Sequence, residues 1–317
     1  MRLGVDIYSI RSLEWDAFQY LDYCAQIGLN VVHFSDLKPF KSTEDDYLKA
    51  VKEHADALGL AIEAGDAVSQ VRRMLRIAQV LGSPILRCVL GNSADRRGET
   101  PLCTHIENTI ATCRAVRTQT MDLGIKLAIE NHAGDMQGWE LKELIEEAGP
   151  EYVGACIDTG NPLWVHEDPQ VTLDHLAPYV VTSHIRDGIV WAHPKGAMFQ
   201  WVAMGDGNIG IAAWVERYQA LCPQASFTLE IITGRPPRLL NYLEEEYWAA
   251  FPEARASELA RFERLVRQGL PFMGIMVMTD GGPADMPSEY HAAWVAQQRY
   301  DLERSVRYCR EVLHVGE

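Results

Sequence analysis

Four short apolar runs in this sequence each end in a side chain that can hold a metal ion or move a proton. The residues at these ends are three carboxylates and one imidazole: Glu130, Asp158, His184 and Glu230. One carboxylate at a strand end is common, but four successive strands that end this way are hard to explain by packing alone. A mainly oxygen ligand set suits Mn²⁺, Mg²⁺ or Co²⁺ better than the thiolate-rich sites that zinc prefers, with Zn²⁺ as a further alternative. The pattern predicts one divalent ion, with Mn²⁺ as the first choice.

Two further side chains lie two residues beyond a predicted ligand: His132 follows Glu130, and Arg186 follows His184. Alternate residues of a strand point to one face, so both side chains would enter the same pocket. His132 could be a general base, or it could support a ligand carboxylate through a hydrogen bond. Arg186 could bind an anionic group of a substrate, or it could pair with a ligand carboxylate. Both alternatives stay open for each residue.

Four protein ligands leave open positions on an octahedral ion, enough for two neighbouring oxygens of a sugar. The metal would then act as a Lewis acid, polarising a carbonyl and stabilising the enediolate that forms when an adjacent C–H proton is removed. This chemistry predicts a sugar isomerase or epimerase whose partner is a small-molecule sugar or sugar derivative.

These strand ends can meet only in a fold that sets the strands side by side. Apolar runs alternate with helical patterns along the chain, beginning with the run at residues 3–8. Helices are predicted over residues 15–28, 45–58, 69–81, 105–123, 139–147, 169–176, 211–221 and 290–313. Eight alternations favour an α/β fold, a (β/α)8 TIM barrel that forms a single domain over residues 1–317. The loops after the strands of such a barrel build the active site.

The connection between strand eight and the last helix, residues 234–288, is a long insertion. Connections of this kind usually have about 2–6 residues, and longer ones are often lids, substrate walls or subunit contacts. The insertion contains two helix-like pieces at 238–250 and 254–268, followed by an apolar run at 272–278 that could be core lining, a lid or an interface. We predict that the insertion lies at the catalytic face and that the protein is a homo-oligomer.

Composition excludes several classes of protein. The net charge of −15 argues against a protein that holds a nucleic-acid backbone by broad charge attraction. The seven cysteines are odd in number and form no C-x-x-C pair, which is typical of reduced thiols. The sequence starts without a leader pattern and has no apolar run near the ~18 residues of a membrane span. These features predict a cytoplasmic protein without nucleic-acid or membrane partners.

Five motifs in this sequence resemble those of the xylose isomerase-like TIM barrels. They are IENH at 129–132, IDTGN at 157–161, SHIRD at 183–187, GDGNI at 205–209 and LE at 229–230. This superfamily includes sugar phosphate isomerases and epimerases, ketose 3-epimerases, inosose dehydratases and endonuclease IV (AP endonuclease family 2). The resemblance covers about residues 1–230 and implies that Glu130, Asp158, His184 and Glu230 bind the metal. It also implies that Glu130 and Glu230 exchange protons on opposite faces of the sugar.

Departures from the sub-family patterns narrow the choice. Endonuclease IV-like enzymes resemble this chain less closely, because their additional metal-binding histidines are replaced by Asn161, Phe199 and Trp201. Ketose 3-epimerases usually have a histidine at the place of Asn161 and an arginine at that of Val190. The resemblance therefore disfavours a nuclease and does not reproduce the substrate-binding pattern of those epimerases.

The E-N-H motif also resembles one in the α-subunits of C-glycoside deglycosidases, which act on 3-keto-glycosides by elimination. This implies an alternative function, a metal-dependent lyase or dehydratase on a keto-sugar or 3-keto-glycoside, with His132 as the base. Such an enzyme needs a small partner subunit. A barrel that binds a sugar without catalysis is a third alternative, which the complete ligand set disfavours.

The remaining candidates lie at or near other strand ends. Arg186, Asn161 and His33 are predicted to contact the substrate. Capping or network roles are expected for most of a weaker set: Asp6, Asp36, Glu63, Asp66 and Asn92. The GDGNI motif at 205–209 precedes a predicted helix, where backbone N–H groups could hold a phosphate.

Overall fold

The computed structural model describes residues 1–91, 96–281 and 285–316. Its strands are β1 (Leu3–Asp6), β2 (Val31–Phe34), β3 (Ala61–Ala67), β4 (Ile85–Val89), β5 (Lys126–Glu130), β6 (Val153–Asp158), β7 (Val180–His184), β8 (Asp187–His193), β9 (Gly196–Val202), β10 (Phe227–Leu229) and β11 (Arg238–Leu240). Eight of them form one parallel sheet in the order β10-β1-β2-β3-β4-β5-β6-β7. A parallel bridge between Ile185 and Leu229 joins the two ends of this sheet. The structure confirms the predicted (β/α)8 barrel.

Helices cover the outside of the barrel. They are α1 (Ala17–Gln26), α2 (Asp45–Ala57), α3 (Val71–Leu81), α4 (Leu102–Ala115), α5 (Arg117–Leu123), α6 (Gly138–Ala148), α7 (Pro169–Leu176), α8 (Ile211–Leu221), α9 (Ala256–Val266) and α10 (Ser288–Glu311). Left-handed glycines end two of them, Gly82 after α3 and Gly124 after α5. The single helix predicted over 105–123 is two helices, because Val116 between them leaves the helical region at φ −114°, ψ 6°.

A second, antiparallel sheet stands beside the barrel. The hairpin of β8 and β9 follows β7 directly, and β11 pairs with β9 to give the order β11-β9-β8. The helix predicted over 238–250 is therefore wrong: Arg238 to Leu240 form β11, and only Glu245–Ala250 make a short 3-10 helix. Pairing of β11 with Ala197, Met198 and Phe199 outweighs the local helical pattern.

The apolar run at 272–278 is not part of the core. Met273 is 88% exposed and Met276 is 64% exposed, whereas Val277 is buried. The run has no regular secondary structure, and the side chain of Gln297 on α10 accepts the N–H groups of Met276 and Val277 at 2.8 and 2.7 Å. These bonds fix the segment against the last helix and leave its methionines in solvent.

The hydrophobic core lies between the barrel strands and the surrounding helices, and it continues under the hairpin of β8 and β9. Val5 and Leu127 represent the strand side of this core, and Leu75 and Trp214 the helix side; all four are fully buried. None of the helices in the described ranges is both long and apolar enough to span a bilayer.

Candidate metal centre and active-site cleft

Four adjacent strand ends bring together the four predicted ligands. Glu130, Asp158 and His184 are the last residues of β5, β6 and β7, and Glu230 directly follows β10. Each contributes one ligand atom, and all four atoms lie within 4.8 Å of one another. Opposite ligands of an octahedral ion stand about 4.2 Å apart at metal–oxygen distances of about 2.1 Å. The cluster therefore has the size and the donor set for one hard divalent cation.

Two buried arginines pair with these carboxylates. The Nε of Arg87, on β4, donates to Glu130 Oε2 at 2.5 Å, and its terminal nitrogen contacts the same oxygen. The guanidinium of Arg186 contacts Asp158 Oδ2 and Glu230 Oε2. Of the two roles that the sequence left open for Arg186, the structure shows pairing with carboxylates of the predicted ligands. Its guanidinium also stacks 4.6 Å from the Trp201 ring centre. The sequence analysis missed Arg87, although an arginine inside a buried apolar strand signals a carboxylate partner.

The carboxylates of the centre outnumber its guanidinium groups. A fourth carboxylate, that of Asp6, lies beside His184, so four carboxylates face the two guanidinium groups. Burial raises the pKa of Asp158 to about 7, and the neighbouring glutamates add to this rise despite the opposing effect of Arg186. Burial alone would raise the pKa of Glu130, but Arg87 and His184 hold it well below its usual value. Burial lowers the pKa of His184, but Glu130 and Glu230 raise it to about 10, so the imidazole carries a proton when no metal is bound. With the imidazole neutral, as a metal ligand is, the four carboxylates exceed the two guanidinium groups by two charges, which one divalent cation would balance.

His184 lies at the middle of the cluster without a completed hydrogen bond. Its Nδ1 is 3.4 Å from Glu130 Oε2 and 3.3 Å from Glu230 Oε2, and its Nε2 is 3.3 Å from Asp6 Oδ2. Both ring nitrogens are buried and neither completes a hydrogen bond with any described residue. Since buried polar atoms normally have partners, this ring fits a metal ligand at Nδ1 that is oriented by Asp6 at Nε2.

Backbone and amide groups fix the ligand carboxylates. Asp158 Oδ1 accepts the N–H groups of Gly160 and Asn161, each at 2.7 Å. The Asn161 side chain donates to Glu130 Oε1 at 3.1 Å, so one residue contacts two predicted ligands. The Asn131 side chain exchanges two hydrogen bonds with the backbone of Asp158. These contacts hold the ligand set in place independently of a substrate.

His132 lies two residues after Glu130, on the tightly turned loop that follows β5. Its Nδ1 lies 2.6 Å from the carbonyl oxygen of Gly91, which can only accept, so Nδ1 carries the proton and Nε2 keeps its lone pair. The buried carboxylate of Asp135 accepts the N–H groups of His132 and Met136 at 2.9 and 2.5 Å and thereby shapes the loop. Burial lowers the pKa of His132, more than Glu130 raises it. The sequence analysis did not single out Asp135.

A cavity of about 540 Å³ opens over this centre. The predicted site residues on its walls are His132, Asn161, Arg186 and Glu230. Arg87 and the indoles of Trp164 and Trp201 also face it. Glu130 lies beneath the wall, fully buried, so the two glutamates differ in their access to a substrate.

Comparison with known proteins agrees with the barrel fold. The model of the xylose isomerase-like TIM barrel family matches residues 21–262. The chain belongs to this family. D-psicose 3-epimerase from Clostridium cellulolyticum H10 is a structural neighbour with TM-score 0.63 and 12% identity, over 99% of both chains. A xylose isomerase-like TIM barrel protein from Mycobacterium smegmatis, in complex with magnesium, has TM-score 0.58 and 14% identity, over 72% of this chain and 89% of that one.

Two curated relatives match in sequence. The 3-oxo-isoapionate decarboxylase of Pectobacterium atrosepticum is 22% identical over 247 residues, which is 77% of this chain and 81% of that protein. The uncharacterized protein YihM of Escherichia coli K12 is 29% identical over 98 residues, 31% of this chain, and the match spans only 30% of that protein. The chain is thus similar in sequence to one protein that is named as a decarboxylase and to one that is uncharacterized.

The other strand-end candidates in this xylose isomerase-like barrel support the centre from below or cap loops. His33 is fully buried, 3.3 Å from Glu63 Oε2 through Nδ1, with its ring edge against His184. It is absent from the described walls of the cavity, so this placement does not match the predicted substrate contact. Asp36 does face the cavity, and Asp66 caps the N–H of Ala67. Asn92 lies outside the described residues.

The backbone of the GDGNI loop binds the carboxylate of Asp187. The N–H groups of Gly205 and Gly207 each donate to Asp187 Oδ2 at 3.0 Å. A Cβ on Gly207 would lie 2.0 Å from Asp187 Oδ1, so this close approach requires glycine. The suggestion that these N–H groups bind a phosphate is therefore wrong, because a buried carboxylate already occupies them.

Proposed function

We propose that this barrel binds one divalent metal ion through Glu130, Asp158, His184 and Glu230 and acts on a sugar derivative that carries a carbonyl group. The observation that supports the metal is the compact, buried set of four ligand atoms, in a centre where the carboxylates outnumber the guanidinium groups. The oxygen-rich donor set favours Mn²⁺ or Mg²⁺, and a structural neighbour is in complex with magnesium. The ion would supply a Lewis acid that polarises the substrate carbonyl.

His132 is the base in this proposal. Its Nε2 keeps a lone pair, because Nδ1 donates to Gly91, and the ring stands on the cavity wall. Glu130, in contrast, is held by Arg87 and Asn161 beneath the wall. Glu230 reaches the cavity, but its carboxylate contacts the guanidinium of Arg186 and is one of the four candidate ligands. One accessible base does not fit the two-glutamate exchange that the family resemblance implies.

A single base on one face of the sugar supports a lyase. His132 would take the proton next to the carbonyl, and the electron pair of that C–H bond would form a C=C bond as a substituent on the next carbon leaves with its own pair. The E-N-H motif favours this class of reaction. The relative named as a decarboxylase is also a lyase, but a decarboxylase breaks a C–C bond instead of removing a C–H proton. The substrate is then a keto-sugar or a 3-keto-glycoside.

Isomerisation or epimerisation is the second candidate, through an enediolate. The same His132 could return the proton to the neighbouring carbon, which gives an isomer without a leaving group. The position of Glu230 on the cavity wall favours this candidate, because a second carboxylate there could serve the other face of the sugar.

The insertion at 234–288 contributes residues to the cleft over the metal centre. Its Arg235 and Arg238 line the cavity over the metal centre, and Asp280 holds both guanidinium groups. We therefore propose that it forms a wall of the catalytic mouth. The predicted homo-oligomer, and the small partner subunit of the lyase alternative, stay predictions that light scattering of the purified protein can check.

Product analysis in D₂O separates the two reactions. The Mn²⁺-loaded protein is incubated with ketoses and 3-keto-glycosides, and products are followed by NMR. A lyase releases a leaving group and an unsaturated sugar, whereas an isomerase or epimerase yields a saturated product, with solvent deuterium when the proton exchanges. His132→Ala should lose about 10²-fold to 10⁴-fold in kcat while retaining bound metal. His105→Ala on α4 is the matched control. Full activity of His132→Ala would contradict the assignment of the base.

A further inference from the structure

A second cavity, also of about 540 Å³, adjoins the one over the metal centre. The two share four lining residues, Tyr8, Ser35, Asp36 and Arg235, so they are neighbouring parts of one cleft. We call this second part the outer cleft. Its walls come from the 3-10 helix Ile7–Leu13 after β1, from the loop after β2 and from residues 279–281 of the insertion. A substrate whose reacting carbon lies at the metal can extend into it.

Arg11 is the distinctive residue of the outer cleft. It donates to the carbonyl oxygen of Tyr8 at 3.1 Å, and its guanidinium lies 4.6 Å from the Tyr8 ring centre and 5.5 Å from that of Trp294. Within the described part of the chain, no carboxylate forms an ion pair with it. A largely desolvated guanidinium without a counter-ion is costly, and an anionic ligand would remove that cost.

Arg235 adds a second cation at the junction of the two cavities. One terminal nitrogen donates to the hydroxyl oxygen of Tyr8 at 3.0 Å, and the other lies 3.5 Å from Asp280 Oδ1. Arg238 takes the same oxygen of Asp280 at the shorter distance of 2.9 Å. One carboxylate therefore serves two guanidinium groups, and Arg235 keeps donors for a ligand.

The remaining charges of the outer cleft do not cancel these two cations. Asp36 pairs with Lys38 at 3.3 Å near the solvent. Glu14 also lines the cavity, but it is exposed and forms no ion pair with a described residue. Trp15 and Trp294 present aromatic surface to the same space, which suits the apolar face of a sugar ring.

We infer that the outer cleft binds an anionic group of the substrate, a carboxylate or a phosphate, with Arg11 and Arg235 as its anchors. The substrate is accordingly a sugar acid or a sugar phosphate rather than a neutral sugar. This rests on the proposed function only in placing the reacting carbon at the metal centre, because the anionic group binds without turnover.

Equilibrium binding tests this inference apart from catalysis. Calorimetric titrations of the Mn²⁺-loaded protein compare glucuronate, glucose 6-phosphate and neutral glucose. At least one anionic probe should bind about tenfold or more tightly than glucose. Preference for glucuronate identifies a carboxylate, and preference for glucose 6-phosphate identifies a phosphate. Equal binding of all three probes, or no binding of either anion at millimolar concentration, would overturn the inference.

Substitutions locate the anion. Arg11→Met and Arg235→Met should each remove most of the preference for the anionic probe and leave the metal content unchanged, while Arg11→Lys keeps part of it. Two independent positions keep the test decisive even where one variant folds poorly. Arg73→Met, at an exposed position on α3, is the control and should bind like the wild type. An anion preference that survives both substitutions would place the anion elsewhere and contradict the inference. Failure of the metal-dependent reaction, in contrast, would leave these binding results intact.

Discussion

The candidate metal centre and the outer cleft hold their arginines in opposite ways. In the centre, Arg87 and Arg186 are buried and contact the carboxylates of the ligand set. In the outer cleft, Arg11 has no ion pair with a described residue, and Arg235 shares Asp280 with a neighbouring arginine. The inner cations compensate charges of the chain itself, whereas the outer cations are available for a charge that arrives with a ligand.

Because of this difference, substitutions of the inner and outer arginines should affect different properties, folding stability in one case and ligand affinity in the other. Loss of one partner of a buried ion pair leaves the other charged and desolvated, which is strongly destabilising. Loss of a cation that has no ion-pair partner in the protein leaves no unpaired buried charge behind. Substitutions in the centre should therefore affect folding most, and substitutions in the outer cleft should affect binding most.

The largest effect is expected for Arg87→Met in metal-free protein. This change leaves Glu130 buried without its guanidinium partner and should lower the free energy of unfolding by about 3–5 kcal/mol. Urea denaturation followed by circular dichroism measures it, with Arg73→Met as the exposed control. A loss below about 1 kcal/mol would show that the ion pair does not hold the centre together.

An intermediate, pH-dependent effect is expected at Glu167, a buried carboxylate without an ion pair among the described residues. Gly138 N–H and the Thr172 hydroxyl donate to it, yet burial raises its pKa from 4.5 to about 8, opposite to Glu130. A raised carboxyl pKa means that the folded state binds more protons, so stability falls as pH rises from about 4.5 to about 8. Glu167→Gln should remove this part of the pH dependence.

Denaturation of Glu167→Gln across that pH range, beside the exposed change Glu143→Gln on α6, measures the effect. An unchanged pH profile would mean that the Glu167 carboxylate is ionised without cost. That outcome would contradict the prediction that burial without an ion pair keeps the Glu167 carboxyl protonated up to about pH 8.

The smallest effect on folding is expected for Arg11→Met. It removes a cation that stacks on Tyr8 and Trp294, and the expected change in unfolding free energy is below about 1 kcal/mol. The same urea experiment measures this change. A loss as large as that of Arg87→Met would reveal a structural role for Arg11 and would remove the contrast between the two parts of the cleft.

The sequence predicted the barrel and the convergence of four strand-end residues because both depend on local patterns that repeat along the chain. Each predicted ligand ends a buried strand, and the register of parallel strands brings Asp158 level with His184. Once the barrel is recognised, the strand ends must converge at its mouth. This is why the proximity of Glu130, Asp158, His184 and Glu230 could be predicted from the sequence.

The rest depends on contacts between distant parts of the chain. Whether Arg186 binds a ligand or pairs with Asp158 and Glu230 is decided by side chains from three strands. The strand at Arg238–Leu240 forms only because it pairs with β9, and the glycine loop at 205–207 is filled by Asp187. Sequence patterns along one segment carry no information about such partners.

The central claim is that four strand-end residues bind one divalent ion, and metal analysis of purified protein tests it most directly. After equilibration with Mn²⁺ and removal of free ion, the wild type and His132→Ala should each retain one ion per chain. His184→Ala and Glu230→Gln should retain little or none, because each removes a ligand atom from the cluster. A wild type that retains no ion, or variants that keep a full equivalent, would contradict the metal centre described above.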